Sequence, residues 1–231
     1  MTVPTTYGAP TDTALANYDF VDIAAGVGYE LFYFACTGKN VNYSNQQQFV
    51  INNQTFYSDF IASGATYTAQ NANTYTQAFS FDFETSAFNL PRVVNGEAIV
   101  TVPALHRNVD GAEYRVFATT KIYRITDSGA SFELGQTSGA TWSQTGGAGT
   151  LNSEVLTLKV PLTETIIKRD EKIRATVALH GACDAGGPRA NNELYMGFDP
   201  QGRISSTRIT RNFPSGSVTV ATIKIPFKID I

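Results

Sequence analysis

The last nine residues constrain the fold most. Ile223, Ile225, Phe227, Ile229 and Ile231 alternate with Lys224, Pro226, Lys228 and Asp230. A period of two puts one set of side chains on each face of an extended strand, so this segment predicts a strand with one buried face. The same period recurs upstream. Phe79, Phe81 and Phe83 oppose Ser80, Asp82 and Glu84. Tyr114, Val116, Ala118, Thr120 and Ile122 line one face of a second segment, and Leu156, Leu158, Val160 and Leu162 one face of a third. Ile173, Ala175, Val177 and Leu179 do the same in a fourth. No stretch holds a 3.6-residue apolar period over three turns. Many short strands with almost no helix predict an all-β chain, an antiparallel β-sandwich of jelly-roll type.

Turn residues divide these runs. Asp127-Ser128-Gly129 and the charged cluster Lys168-Arg169-Asp170-Glu171 are read as hairpin reversals, and Asn95-Gly96 as a third. Pro161 predicts an edge or a bulge, because proline cannot donate to a ladder. YELFYFACT, from Tyr29 to Thr37, is apolar enough for a central strand; QQQFVI and QTFYSDFI are read as short strands. The stretch from Ala62 to about Gln77 is read as a long polar loop or an irregular edge, that from Gly135 to Thr150 as a long loop or a weak edge hairpin, and that from Gly181 to Asn192 as a loop. Residues 1–17, rich in Thr, Pro and Ala, are expected to form an extended arm, with residues 18–231 a single sandwich domain.

With 231 residues, the chain is long enough to bury a core without staples. Charged residues make up only 16%, against about 25% in ordinary domains. Thr, Ser, Asn, Gln and Gly fill the difference, giving a surface that is cheap to dehydrate and suited to protein or glycan contacts. The net charge of -3 and the lack of a basic tract argue against nucleic-acid binding. No apolar run reaches membrane-spanning length, and the first residues carry no basic or apolar leader. Synthesis in a cytoplasm is the expectation. Two cysteines, Cys36 in an apolar strand and Cys183 in a Gly-rich stretch, are read as a buried thiol and a partly exposed one, with a single long-range bridge as the alternative.

The residue types of familiar chemistry are sparse. His106 is placed just past a strand and His180 at a strand end, with no ligand spacing around either, so no metal is expected. There is no G-x-S-x-G elbow and no G-x-G-x-x-G turn, and Thr37-Gly38-Lys39 lacks the glycines of a phosphate loop. No cofactor is expected. Asp82 and Glu84, about 6.5 Å apart on one strand face, are the sole carboxylate pair that invites comparison with a glycosidase. A solvated outer face explains them as well. Asp12, Asp19 and Asp22 make a poor calcium cage. Aromatic residues in polar stretches are the better candidates for contact with a ligand or a neighbouring subunit: Trp142, Tyr43, Tyr57, Tyr67 and Tyr75, with Arg189 beside them. For Trp142, three roles stay open: stacking on a sugar, docking on another subunit, or folding back over the sandwich.

LTLKVPLTETIIKRDEKIRATVAL, a strand ending in Pro, charged turn residues and a strand returning on the same sheet, resembles a pattern in tailed-bacteriophage and other viral structural proteins. AEYRVFATTKIYRITDSGASFELGQ, a long strand with a tight turn and a return, shares that character. The resemblance covers about a third of the chain and implies a virion structural protein, of capsid-decoration or minor-capsid type. Its expected partners are other capsid or virion proteins and further copies of itself in a homo-oligomer. The arm and the loops 135–150 and 181–192 are expected to meet those neighbours. The alternative is a glycan-binding or receptor-binding sandwich of a tail or fibre.

Overall fold

Alternation of buried and outward side chains runs through most strands of the structure. It is a computed structural model that describes residues 26–37, 48–58, 60–71, 74–109, 112–145, 147–184, 188–205 and 213–228. The expected arm at residues 1–17 lies outside the described residues, as do Tyr43, the three aspartates at 12, 19 and 22, and the last three residues.

Twelve strands form among the described residues, and no helix. They are β1 (Val27–Thr37), β2 (Gln48–Asn52), β3 (Ala62–Ala69), β4 (Thr76–Thr85), β5 (Arg92–Arg107) and β6 (Tyr114–Ile125). After these come β7 (Ser131–Ser138), β8 (Trp142–Gln144), β9 (Leu151–Ile167), β10 (Lys172–Cys183), β11 (Arg189–Gly197) and β12 (Thr222–Lys228). Hydrogen bonds link them in the order β3-β11-β5-β12-β1-β2-β4-β10-β6-β7, with β9 on the other edge of β5 and β8 on β6. This path folds back on itself. Tyr67 of β3 lies against Gly181 of β10, and Leu158 of β9 against Gly139, just past β7. The result is a sandwich around one main core, as the alternation predicted.

The pairing is not wholly antiparallel. β2 runs parallel to β4 at Val50↔Glu84 and Ile51↔Thr85, and the path does not close on itself. The expected, mostly antiparallel sandwich is present, whereas the open path with its parallel β2–β4 pair departs from the closed jelly roll. Parallel neighbours cannot be joined by a tight hairpin, and here the chain leaves β2 through β3 before returning as β4.

β12 sits between β1 and β5, with Ile223, Ile225 and Phe227 buried. Each such side chain contributes about 1.5–3 kcal/mol by leaving water. The C-terminal strand therefore completes its own chain's sheet as far as Lys228. β6, β9 and β10 bury the alternating residues expected of them. The hairpins at Asp127–Ser128 and Arg169–Asp170 form where turn residues marked them, the latter with Asp170 at φ 68°. β9 pairs only with β5, so Pro161 lies on an edge strand.

Several expectations are overturned. Asn95-Gly96 makes no hairpin: both residues lie inside β5, where Gly96 at φ 115° accommodates a bulge. There, Asn95 of β5 faces two residues of β9, Thr163 and Glu164. The stretch 62–69 is β3, so the loop reading fails and the edge reading holds: β3 ends the strand path, and ladder bonds to β11 hold its small polar residues. β7 runs on to Ser138 and β8 forms at Trp142–Gln144, inside the stretch 135–150 read as a loop or a weak edge hairpin; the two strands each pair with β6 and not with one another. Likewise β10 extends to Cys183 and β11 starts at Arg189, within 181–192. In each case backbone pairing, which composition does not reveal, supplies the order. QTFYSDFI is no strand; Phe60 makes only an isolated bridge to Cys36. Cys36 and Cys183 are both buried and not joined in a disulfide, so Cys183 is not the partly exposed thiol expected.

Candidate functional site

β2 keeps only two bridging pairs with β4 before the strands part, and an open cleft of about 530 Å³ lies along that seam. Phe49, Phe56, Asp82, Glu84 and Lys172 are among its walls. The strand period sets Asp82 and Glu84 side by side, opposite the same face of β10. Thr176 Oγ1 donates to Asp82 Oδ1 at 2.6 Å. Arg174 donates to Glu84 Oε1 through Nη2 at 2.6 Å and Nε at 2.9 Å, and Lys172 Nζ lies 3.4 Å from Oε2. Burial alone pushes the Glu84 carboxyl up, but the hydrogen bonds and charges of Arg174 and Lys172 outweigh it and hold the group below its ordinary range. Glu84 is thus ionised at neutral pH, which is the wrong state for a general acid. The pair forms part of a cross-strand ion network.

The two histidines stand apart from this cleft and from each other. His106 is not past a strand: it lies within β5, fully buried, between β3, β6 and β8. Its Nε2 lies 2.9 Å from Tyr67 Oη, while Nδ1 lies 2.8 Å from Asn108 Oδ1 and 2.7 Å from Gln144 Oε1. Burial holds the Tyr67 phenol well above its usual value, so the phenol keeps its proton and donates to Nε2. Nδ1 then carries the ring proton, shared between the two amide oxygens. Burial also pushes the His106 pKa down, although the hydrogen bonds to Gln144 and Asn108 oppose it. Gly181 makes room for this arrangement, since a Cβ there would lie 2.1 Å from Tyr67 Oη. His180 contacts Thr119 Oγ1 at 3.0 Å and stacks on Phe117 with centroids 4.8 Å apart. Among the described residues no three His, Cys, Asp or Glu side chains gather as metal ligands.

The aromatic candidates divide. Tyr67 is in the core and offers no surface to a partner, which corrects its expected exposure. Trp142, on β8, is half-buried against the core, so it folds back over the sandwich. Tyr75 is half-buried and meets Phe117 edge-on at 4.8 Å. Arg189, half-buried, opens β11 opposite Ala69. These four lie toward the end where β6 begins, without forming one site. Tyr57 alone stands well out, 63% exposed, with the Arg203 guanidinium 4.1 Å from its ring. Arg203 is itself clamped by buried Asp199 through Nε at 2.8 Å and Nη2 at 2.9 Å.

The surface that sequence reasoning missed lies at the opposite end, where β6 finishes. Leu90 is 74% exposed, Ile166 56% and Phe132 51%. Arg124 links the last two: its guanidinium is 4.8 Å from the Phe132 ring, and its Nη1 donates to the Ile166 carbonyl at 3.4 Å. Arg124 Nε also lies 3.8 Å from Glu171 Oε2, and the Glu171 carbonyl accepts from Phe88 N, two residues before Leu90. Ile166 faces outward because of the β9 bulge. Leu156 through Leu162 are buried at even positions, the two residues opposite Asn95 shift the phase, and Ile167 is buried instead of Ile166. Pro161 itself stays in register with Glu97, so its edge reading holds, and the bulge falls two to three residues further on, opposite Asn95.

No family model matches the chain, and no curated protein matches it in sequence. Among solved structures it overlaps an α-amino acid ester hydrolase, at 9% identity and a TM-score of 0.46, over 85% of this chain and 36% of that one. A CocE/NonD family hydrolase from Staphylococcus aureus overlaps at 10% identity and 0.46, over 87% and 37%. The chain thus spans little more than a third of either hydrolase. A structure of the Gx strain of infectious bursal disease virus overlaps at 9% identity and 0.30, over 88% and 58%. The weak likeness to virus-particle proteins that the sequence resemblance implied is therefore present, but TM-scores this low carry no argument about activity or assembly.

Proposed function

We propose that this chain is a non-enzymatic structural subunit of a virus particle, a jelly-roll-type decoration or minor capsid protein that works through protein–protein contacts. The observation that supports it is the end face of Leu90, Phe132 and Ile166. Large apolar side chains left bare at one end of the sandwich favour association with another protein. Many modest contacts of this kind, repeated by symmetry, sum to a stable shell. The cleft carboxylates support the same reading, since Arg174, Lys172 and Thr176 already occupy them. Such a subunit is made in the host cytoplasm and found in the virion. The test is mass spectrometry and electron microscopy of purified particles. The chain is expected in stoichiometric amounts on the shell; recovery only from the unassembled fraction overturns the proposal.

Tyr57 favours a second reading, a glycan-binding head of a tail or fibre. An exposed ring backed by a clamped guanidinium is a rigid platform for a sugar face. A glycan array that lights up with the wild-type chain and goes dark with Tyr57→Ala supports it; a blank array removes it.

A further inference from the structure

We infer that the Leu90–Phe132–Ile166 end is the contact surface for a second copy of this chain across a two-fold axis. The inference rests on the assembly reading above and names the partner. Its first ground is the exposed apolar centre. Its second is the charge around that centre, which comes in pairs of opposite sign on the same chain. Arg169 Nε lies 3.6 Å from Asp170 Oδ2, with both side chains well exposed. Lys228 Nζ lies 2.5 Å from Glu164 Oε1, beside the outward-turned stretch of β9. Lys121 Nζ lies 4.0 Å from Glu133 Oε2, next to Phe132.

A rim of this kind has no net sign. It offers nothing to a phosphate backbone or an anionic lipid surface, both of which select one-signed basic patches. It complements itself. In an isologous contact each residue meets its counterpart patch in reverse, so neighbouring cation and anion on one copy face anion and cation on the other. Arg169 and Asp170, adjacent at the tip of the β9–β10 turn, are placed for that exchange. The chain's net charge of -3 adds little long-range repulsion between copies.

The experiment is sedimentation of the 231-residue chain from about 1 to 100 µM, a range that resolves micromolar pairing. The wild type is expected to pass from the 25.0 kDa monomer to a species of twice that mass. Leu90→Asp and Ile166→Asp each act twice across a two-fold, so each is expected to weaken pairing by about 30-fold or more. Circular dichroism matching the wild type shows that they fold. R169D and D170R are each expected to pair poorly alone and to pair when mixed, since the mixture restores opposite charges across the axis. A wild type that stays monomeric throughout overturns the inference, and so does an L90D/I166D double variant that still pairs. A mixture no tighter than its components overturns the two-fold geometry.

A Leu90→Cys thiol gives an independent reading, because Cys36 and Cys183 are buried. Modification that is fast in dilute protein and slow in concentrated protein supports a second copy. Slow modification at every concentration means the chain's own terminal residues cover the site, and the inference falls. Its failure is separable from that of the assembly reading. A chain that is present on particles while L90D still pairs ends only the two-fold contact. Pairing through this face by a chain absent from particles ends only the virion role.

Discussion

The two ends of this sandwich invert the usual placement of polar and apolar groups in opposite ways. Where β6 begins, polar groups are inside: His106, Asn108, Gln144 and Tyr67 are all buried within one hydrogen-bonded set. Where β6 finishes, about 36 Å away by strand rise, Leu90, Ile166 and Phe132 are outside. A buried polar set is tolerable only while its partners stay in place, so the first end is stiff and sensitive to substitution. Bare apolar groups cost the folded chain little and gain most by meeting another surface. One end holds the fold together, and the other is available for contact.

The comparison breaks most readily at His106. His106→Ala removes the partner of Tyr67, Asn108 and Gln144 at once and leaves a cavity, so urea unfolding is expected to show a loss of about 3 kcal/mol or more. Gly181→Ala drives a methyl group into the Tyr67 ring against the β10 backbone and is expected to cost about 1–3 kcal/mol. Tyr67→Phe keeps the ring but leaves Nε2 of His106 without its donor, a loss of about 1–2 kcal/mol in the same assay.

Acid sharpens the contrast further. His106 has a folded pKa below the ordinary 6.5, so just under that pH the unfolded chain binds a proton that the folded chain refuses. Stability therefore falls as pH drops below about 6.5, at no more than about 1.4 kcal/mol per pH unit for one such group. His180, also lowered by burial, adds to the same window. Glu84, held below 4.5, contributes stability that is lost later, as pH falls past that value. Melting temperatures across pH 4 to 7 test this; a flat profile between about 5 and 7 removes His106 from the account. The smallest effect belongs to the other end. Leu90→Asp in dilute protein is expected to change stability by less than about 0.5 kcal/mol. A loss comparable to that of His106→Ala means that Leu90 is part of the core, and the contrast between the ends fails.

The polar end shows how much was legible from the chain alone. Tyr114 through Ile122 and Ile173 through Leu179 announced their buried faces by alternation, and the structure keeps both. Tyr67 and His106 were invisible as partners. They are 39 positions apart, and only the pairing of β11 with both β3 and β5 sets them on one face of the sheet. At the apolar end, the even phase of Leu156 to Leu162, carried forward, would bury Ile166, and the structure exposes it. A period of two is readable only until an extra residue enters, and a bulge needs the partner strand to define it.

Alternation from Phe79 to Phe227 by itself determined that this chain builds sheets with one face in a core. Side-chain direction along an extended backbone is a local property, set by the pleat. Which strands pair, where a bulge reverses a face, and which polar groups meet in the interior are decided by contacts between residues tens of positions apart. The pleat does not encode those distances. Only the tertiary structure shows that Tyr67, which looks like a surface aromatic, anchors a buried histidine, while Ile166, which looks like core, stands in solvent.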